Sequence, residues 1–160
     1  MRGAVPKGAN ASLYRPMVPG IVRLTRRSEF LHAAAAGRKS AMPGLVLQAV
    51  SPADQPVQGE DSRDRDAPIR VGFTASRRVG GAVARNRAKR RLRAAVARVM
   101  PGHARAGQDY VVIARAATVH RGFEELLRDL QTALTQVDEK QAKVVRPDAA
   151  KTDQSRARDI

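Results

Sequence analysis

From Ala67 to Gln108 the chain carries Arg70, Arg77, Arg78, Arg85, Arg87, Lys89, Arg90, Arg91, Arg93, Arg98 and Arg105, and not one acidic side chain. No other feature limits the possible folds as tightly. Within this run Ala82 to Met100 reads as a helix, closed by Pro101-Gly102. At about 100° per residue, Ala88, Leu92, Ala95, Val96 and Val99 share one face. That face must lie on a core while the cations turn outward. Asn86, Lys89, Arg90 and Arg93 form a neighbouring strip, and Arg87, Arg91 and Arg98 a second one. Like charges one turn apart, such as Arg87 and Arg91 or Lys89 and Arg93, each cost roughly a few tenths of a kcal/mol. The helix holds no carboxylate to offset them. Solvated surfaces usually mix signs, so this segregation implies an anion much larger than one phosphate. Asn86, alone among the cations, suits a base edge or a 2′-hydroxyl.

The whole chain agrees. Its 160 residues fit one domain, and 30 Lys and Arg against 15 Asp and Glu leave a formal charge of +15. A surplus that large repels itself and calls for a polyanion, nucleic acid first and an anionic membrane second. A membrane-surface helix needs bulky apolar residues opposite its cations, whereas this one offers Ala, Val and one Leu. No apolar run approaches the ~20 residues of a membrane span. With no cysteine, neither a disulfide framework nor a thiolate zinc site can form, as suits a cytoplasmic protein. Phe30, Phe73, Phe123, Tyr14 and Tyr110 are all the aromatics, too few for recognition built on many stacked bases.

Outside the basic run, Arg23 to Ala36 reads as a helix capped by Ser28 and stopped by Gly37. Leu45–Val50, Ile69–Ala75 and Asp109–Arg115 read as strands. His120 to Val137 reads as an amphipathic helix with Phe123, Leu126, Leu127, Leu130, Leu134 and Val137 on its core face. Residues 51–68, with Asp54, Glu60, Asp61, Asp64 and Asp66, read as a solvated acidic loop. Residues 1–21 are expected to form a loose extension and 138–160 a charged, mobile tail, leaving 22–137 as the folded domain. The order is α-β-β-α-β-α, with room for a further short strand near the acidic loop. The fold class is α+β, helices packed on a small sheet.

Nothing in the residues equips the chain to cut a phosphodiester by itself. Metal-assisted hydrolysis needs gathered carboxylates, and the nearest acids to the basic run, Asp66 and Asp109, make no pair. His32, His103 and His120 have no spacing that brings two imidazoles together. Gly80-Gly81 reads equally as an ordinary turn or as a place where a phosphate approaches backbone N–H groups. The residues describe a binder, without calling for an obligate protein partner. A ribosomal-type or chaperone-like RNA-binding protein would share this composition.

The stretch Val71-Gly72-Phe73-Thr74-Ala75-Ser76-Arg77-Arg78-Val79-Gly80-Gly81-Ala82-Val83-Ala84-Arg85-Asn86-Arg87-Ala88-Lys89-Arg90-Arg91-Leu92-Arg93 resembles the signature of the bacterial ribonuclease P protein family. Arg23-Leu24, Phe30, Gly37 and the strand from Asp109 to Arg115 match in order, so the resemblance covers about Arg23 to Val137. It implies an α+β fold like that of ribosomal S5 domain 2, with a left-handed βαβ crossover around the basic helix. It also implies an accessory to a catalytic RNA that removes the 5′ leader of precursor tRNA with Mg²⁺ held mainly by RNA. Carried over by position, Arg77, Arg78, Arg85, Asn86, Arg87, Lys89, Arg90, Arg91 and Arg93 would face RNA. Phe30, Gln48, Phe73 and Ser76 would line a leader cleft. Here Ala34 and Gln48 stand where family members often carry aromatics, which predicts more polar, weaker leader contacts.

Overall fold

The computed structural model describes residues 16–18, 20–51 and 68–145. The acidic loop expected over 51–68 lies outside this description except for its two end residues, as do residues 1–15 and 146–160.

The elements are β1 (Pro16–Val18), β2 (Ile21–Arg23), α1 (Arg27–Ala36), β3 (Arg38–Ala41), β4 (Leu45–Val50), β5 (Ile69–Thr74), α2 (Ala82–His103), β6 (Asp109–Ala114) and α3 (Phe123–Val145). Short 3-10 turns at Arg77–Val79 and Ala116–Val119 precede α2 and α3. One six-stranded sheet runs β1-β2-β5-β6-β4-β3. β5 is parallel to both β2 and β6, and the other pairs are antiparallel. Helix α2 is the crossover between the parallel neighbours β5 and β6.

Strand alternation sends each strand's residues to two faces. Leu45, Leu47, Ala49, Val71, Phe73, Tyr110, Val112 and Ala114 form the main core with Leu92, Val96, Leu130 and Leu134 of α2 and α3. On the other face Val50 and Val111 meet Leu24 and Ala33, with Phe30 and Ile113 packed alongside. A sheet covered twice explains why β6 reads as a continuous apolar run.

Several element boundaries differ from the sequence reading. Arg23 belongs to β2, and Leu24 donates its N–H to the Val71 carbonyl (2.9 Å), so α1 starts only at Arg27. Its cap is not Ser28. Glu29 accepts the Arg26 N–H at 3.2 Å. The expected loose extension of 1–21 includes β1 and the start of β2, both paired into the sheet. α2 continues through Pro101 to His103: Pro101 has no N–H for the Ala97 carbonyl, and the helix closes beyond it with the Ala104 N–H on the Met100 carbonyl (2.9 Å). α3 begins after the 3-10 turn rather than at His120 and runs past Val137 to Val145. Tertiary contacts hold that added stretch: Arg105 with Asp138 at 3.2 Å, Gln108 with Gln141 at 2.8 Å, and Lys140 with the Lys39 carbonyl. Beyond the three expected strands the sheet holds β1, β2 and β3, and β3 lies before β4 rather than near the acidic loop. Its residues alternate with only Ser40 buried, as befits a charged edge strand.

Candidate nucleic-acid interface

The buried side of α2 consists of Ala88, Leu92, Ala95, Val96, Val99 and Met100, which includes every residue of the expected apolar face. Arg87 and Arg90 stand exposed on the opposite side, with Arg85, Lys89 and Arg93 partly exposed. Ser76, Arg77 and Arg78 are exposed at the turn that leads into the helix. Gly80 holds φ at 141°, a region closed to most side chains, so this turn requires glycine there. A Cβ at Gly81 would meet nothing within 4 Å.

Arg93 anchors one end of the ridge. Its guanidinium lies 5.9 Å from the centre of the Phe73 ring. Burial, and then the charges of Arg23 and Arg90, hold its pKa below the usual arginine value. Arg23 of β2 therefore lies within electrostatic reach of Arg93. Its place was hidden in the sequence, because only the pairing of Arg23 with Val71 brings β2 beside α2. Val83, Asn86, Arg90 and Arg93 line an open depression of about 370 Å³.

Two arginines of the basic run are committed inside the molecule. Arg91 donates to the carbonyls of Thr118 (2.7 Å), Val119 (2.6 Å) and Arg121, tying α2 to the approach of α3. Arg70 bridges Asp109 and Glu29. Burial pulls its pKa down, but the bond to Asp109 and the charges of Asp109 and Glu29 outweigh that and raise it. Arg98 lies over the Phe123 ring at 5.8 Å while remaining exposed. Two acids of α3 are likewise engaged. Asp129 holds Arg121 (2.6 Å) and the Gly44 N–H (3.0 Å), and Asp138 holds Arg105. Among the described residues, Arg77, Arg78, Arg85, Arg87, Lys89, Arg90 and Arg93 have no ion-pair partner.

The candidate leader cleft divides between two faces. Phe30 of α1 lies over β5, so close that a Cβ on Gly72 would come within 2.5 Å of its ring. Gln48 pairs with Val111, and Val111 with Gly72, placing Gln48 on the same α1-facing row, 7% exposed. Phe73 points the other way, into the core beneath α2. The period of two in β5 removes it from any cleft under α1 and makes it the platform for Arg93 instead. Ser76 lies beyond the end of β5, exposed.

Among the described residues no three His, Asp or Glu side chains are grouped to hold a metal ion. No helix there is long and apolar enough to cross a membrane. The class defined by this scaffold and surface is a small α+β protein with one uncompensated cationic helix face.

Comparison with known proteins narrows the class. The family model described as Ribonuclease P matches residues 18–138. The ribonuclease P protein component of Paramagnetospirillum magneticum is 50% identical over 121 residues, 76% of this chain and 86% of the relative. That of Caulobacter vibrioides is 48% identical over 112 residues, 70% of this chain and 68% of the relative. Among solved structures, the RNase P protein from Thermotoga maritima superposes with a TM-score of 0.56 at 24% identity, covering 72% of this chain and 96% of that one. The Staphylococcus aureus RNase P protein gives 0.55 at 23%, covering 71% and 92%. These two share its α+β fold. The chain belongs to the ribonuclease P protein family, and is thus a subunit of an endoribonuclease of tRNA processing.

Proposed function

We propose that the chain binds the catalytic RNA of ribonuclease P through the α2 ridge and holds the 5′ leader of precursor tRNA against α1 and the sheet. In this way it assists removal of the leader to give the mature tRNA 5′ end, in the cytoplasm. The observation that carries this reading is the pairing of charges. Among the described residues no carboxylate pairs with Arg77, Arg78, Arg85, Arg87, Lys89, Arg90 or Arg93, while Asp109, Asp129 and Asp138 hold other arginines, so the ridge remains available to phosphates. Asn86 adds a neutral hydrogen-bonding group to that array.

The protein's share of the work is to lower repulsion between two RNAs brought side by side. Its surface is a poor match for the Mg²⁺ the reaction uses, because a cationic ridge lacks the oxygen ligands this ion requires. The ion belongs on RNA. Leader contacts rest on Phe30 and the polar Gln48, with one ring rather than several to stack on.

The test mixes purified protein, its cognate RNA and a precursor tRNA at low Mg²⁺. Leader removal at the mature 5′ end only when protein and RNA are both present is the expected result. Cleavage independent of the protein at every magnesium level would overturn the proposal and favour a basic RNA-binding protein of ribosomal or chaperone type.

A further inference from the structure

Val83 is out of place for a simple phosphate-binding ridge. It is 81% exposed on the cationic side of α2, whereas Leu92, Val96, Val99 and Met100 of the same helix are buried. Residues 83, 86, 90 and 93 are spaced by three, four and three, so they stack along one ridge of the helix. Together they line the open depression, whose volume of about 370 Å³ lies near the lower end of the roughly 300–1,000 Å³ usual for small-ligand sites. The Asn86 side chain makes no hydrogen bond to other described residues, leaving its amide donors and acceptor open. Arg93 is braced at the far end by the Phe73 ring.

Two guanidiniums are enough to hold a phosphate. The methyls of Val83 and the amide of Asn86 add nothing to that task, but they match the other parts of a nucleotide. A nucleobase offers an apolar face and an edge of donors and acceptors. Both are accessible together only where the base has left the stack, as in loops, bulges and single strands.

We propose that this depression receives one unstacked nucleotide of the bound RNA, its base face on Val83, its base edge on Asn86 and its flanking phosphates on Arg90 and Arg93. The inference rests on the RNA-binding reading above and deepens it, from attraction to a backbone to recognition of an unpaired position. A continuous duplex presents only its phosphates here.

The experiment measures binding of the full chain to single-stranded oligoribonucleotides and to ribose-phosphate oligomers of equal length that lack bases, across a salt series. Base-bearing strands are expected to bind roughly 5- to 150-fold tighter, the range of one good base contact. Val83→Ser and Asn86→Ala should each shrink that preference without changing the salt slope. Arg90→Ala should keep the preference and flatten the slope by about 0.7. Circular dichroism of each variant verifies that the helix is intact. Equal binding of both oligomers with a normal salt slope would overturn the nucleotide site and leave RNA binding standing. Failure to bind either oligomer even in dilute buffer would sink the RNA-binding reading as well.

Discussion

Arg70 and Asp109 face each other across the parallel strands β5 and β6 and close a two-pronged ion pair, Nε to Oδ1 at 2.7 Å and NH2 to Oδ2 at 2.5 Å. The remaining nitrogen, NH1, reaches Glu29 of α1 at 2.6 Å. One guanidinium thus pins the first helix to the centre of the sheet. Arg70→Met would remove from Asp109, only 6% exposed, the two-pronged pair that Arg70 gives it. A loss of about 3 kcal/mol is expected, the low end for a buried pair because the Arg70 side chain keeps 30% of its surface. Urea denaturation checks this, and Asp109→Leu in the Arg70→Met background should recover part of the loss.

Arg91 and its neighbours on α2 should separate cleanly. Replacing Arg85, Arg87 and Arg90 with Ala should flatten the log–log salt dependence of RNA binding by roughly one unit for each phosphate no longer neutralised. Arg91→Ala should leave that slope unchanged and instead lower stability by about 2–3 kcal/mol, because three carbonyls near α3 are deprived of a charged donor. Binding titrations over a salt series, paired with thermal melts, measure both. A fall in slope for Arg91→Ala would return this residue to the RNA-facing surface.

Gly72→Ala tests the cleft under α1. The new Cβ would meet Phe30 Cε1 at 2.5 Å and Cζ at 2.6 Å, both at the far end of a partly exposed side chain. The ring can swing away, but Leu24 Cβ, 3.2 Å from the new atom and fixed to the main chain, must also give, so a stability cost of about 1–3 kcal/mol is expected, the usual range for overpacking. The expected effect is on ligand choice. The variant holoenzyme should lose preference for leader-bearing over mature tRNA, while the affinity of the protein for the catalytic RNA is retained. Competition binding with the two tRNA forms reads this directly.

Tyr110 gives a pH signature. Burial, opposed by the Arg105 N–H that its hydroxyl accepts at 3.1 Å, pushes its pKa up to about 12. An unfolded tyrosine ionises near 10. The unfolded chain therefore gives up this proton first. The contribution is complete below pH 10 and disappears as pH rises from about 10 to 12, amounting to roughly 2–3 kcal/mol. Tyr110→Phe should be slightly less stable at neutral pH, by about 1 kcal/mol, and should lose less stability than the parent between pH 10 and 12. Denaturation at matched pH values gives the comparison.

Much of this was legible in the residues, and the rest was hidden for definable reasons. The apolar stripe of α2 and the run from Asp109 to Ala114 follow from periodicity, because each is buried along its own length. β3 was hidden because Lys39 and Ala41 face outward, and the inward-facing positions are polar, the half-buried Arg38 and the buried Ser40. The last turns of α3 were hidden because their holds on Lys39, Arg105 and Gln108 come from distant parts of the chain. Among the site residues, a basic run reveals the sign of a surface but not which members are spent internally. Arg70 and Arg91 look like Arg87 and Arg90 until their partners, up to about 40 positions away, are in place. Phe73 could have been separated from Phe30 and Gln48 by counting strand parity from Gly72.

That parity has a mechanical corollary. β5 shows Arg70 and Gly72 to α1 but Val71 and Phe73 to α2, so the anchor of one helix and the platform of the other alternate along four consecutive residues. Deleting a single residue within this stretch would drive a guanidinium into the greasy interior and expel an aromatic ring to the opposite side. The strand tolerates exchange of letters far better than any change in their number.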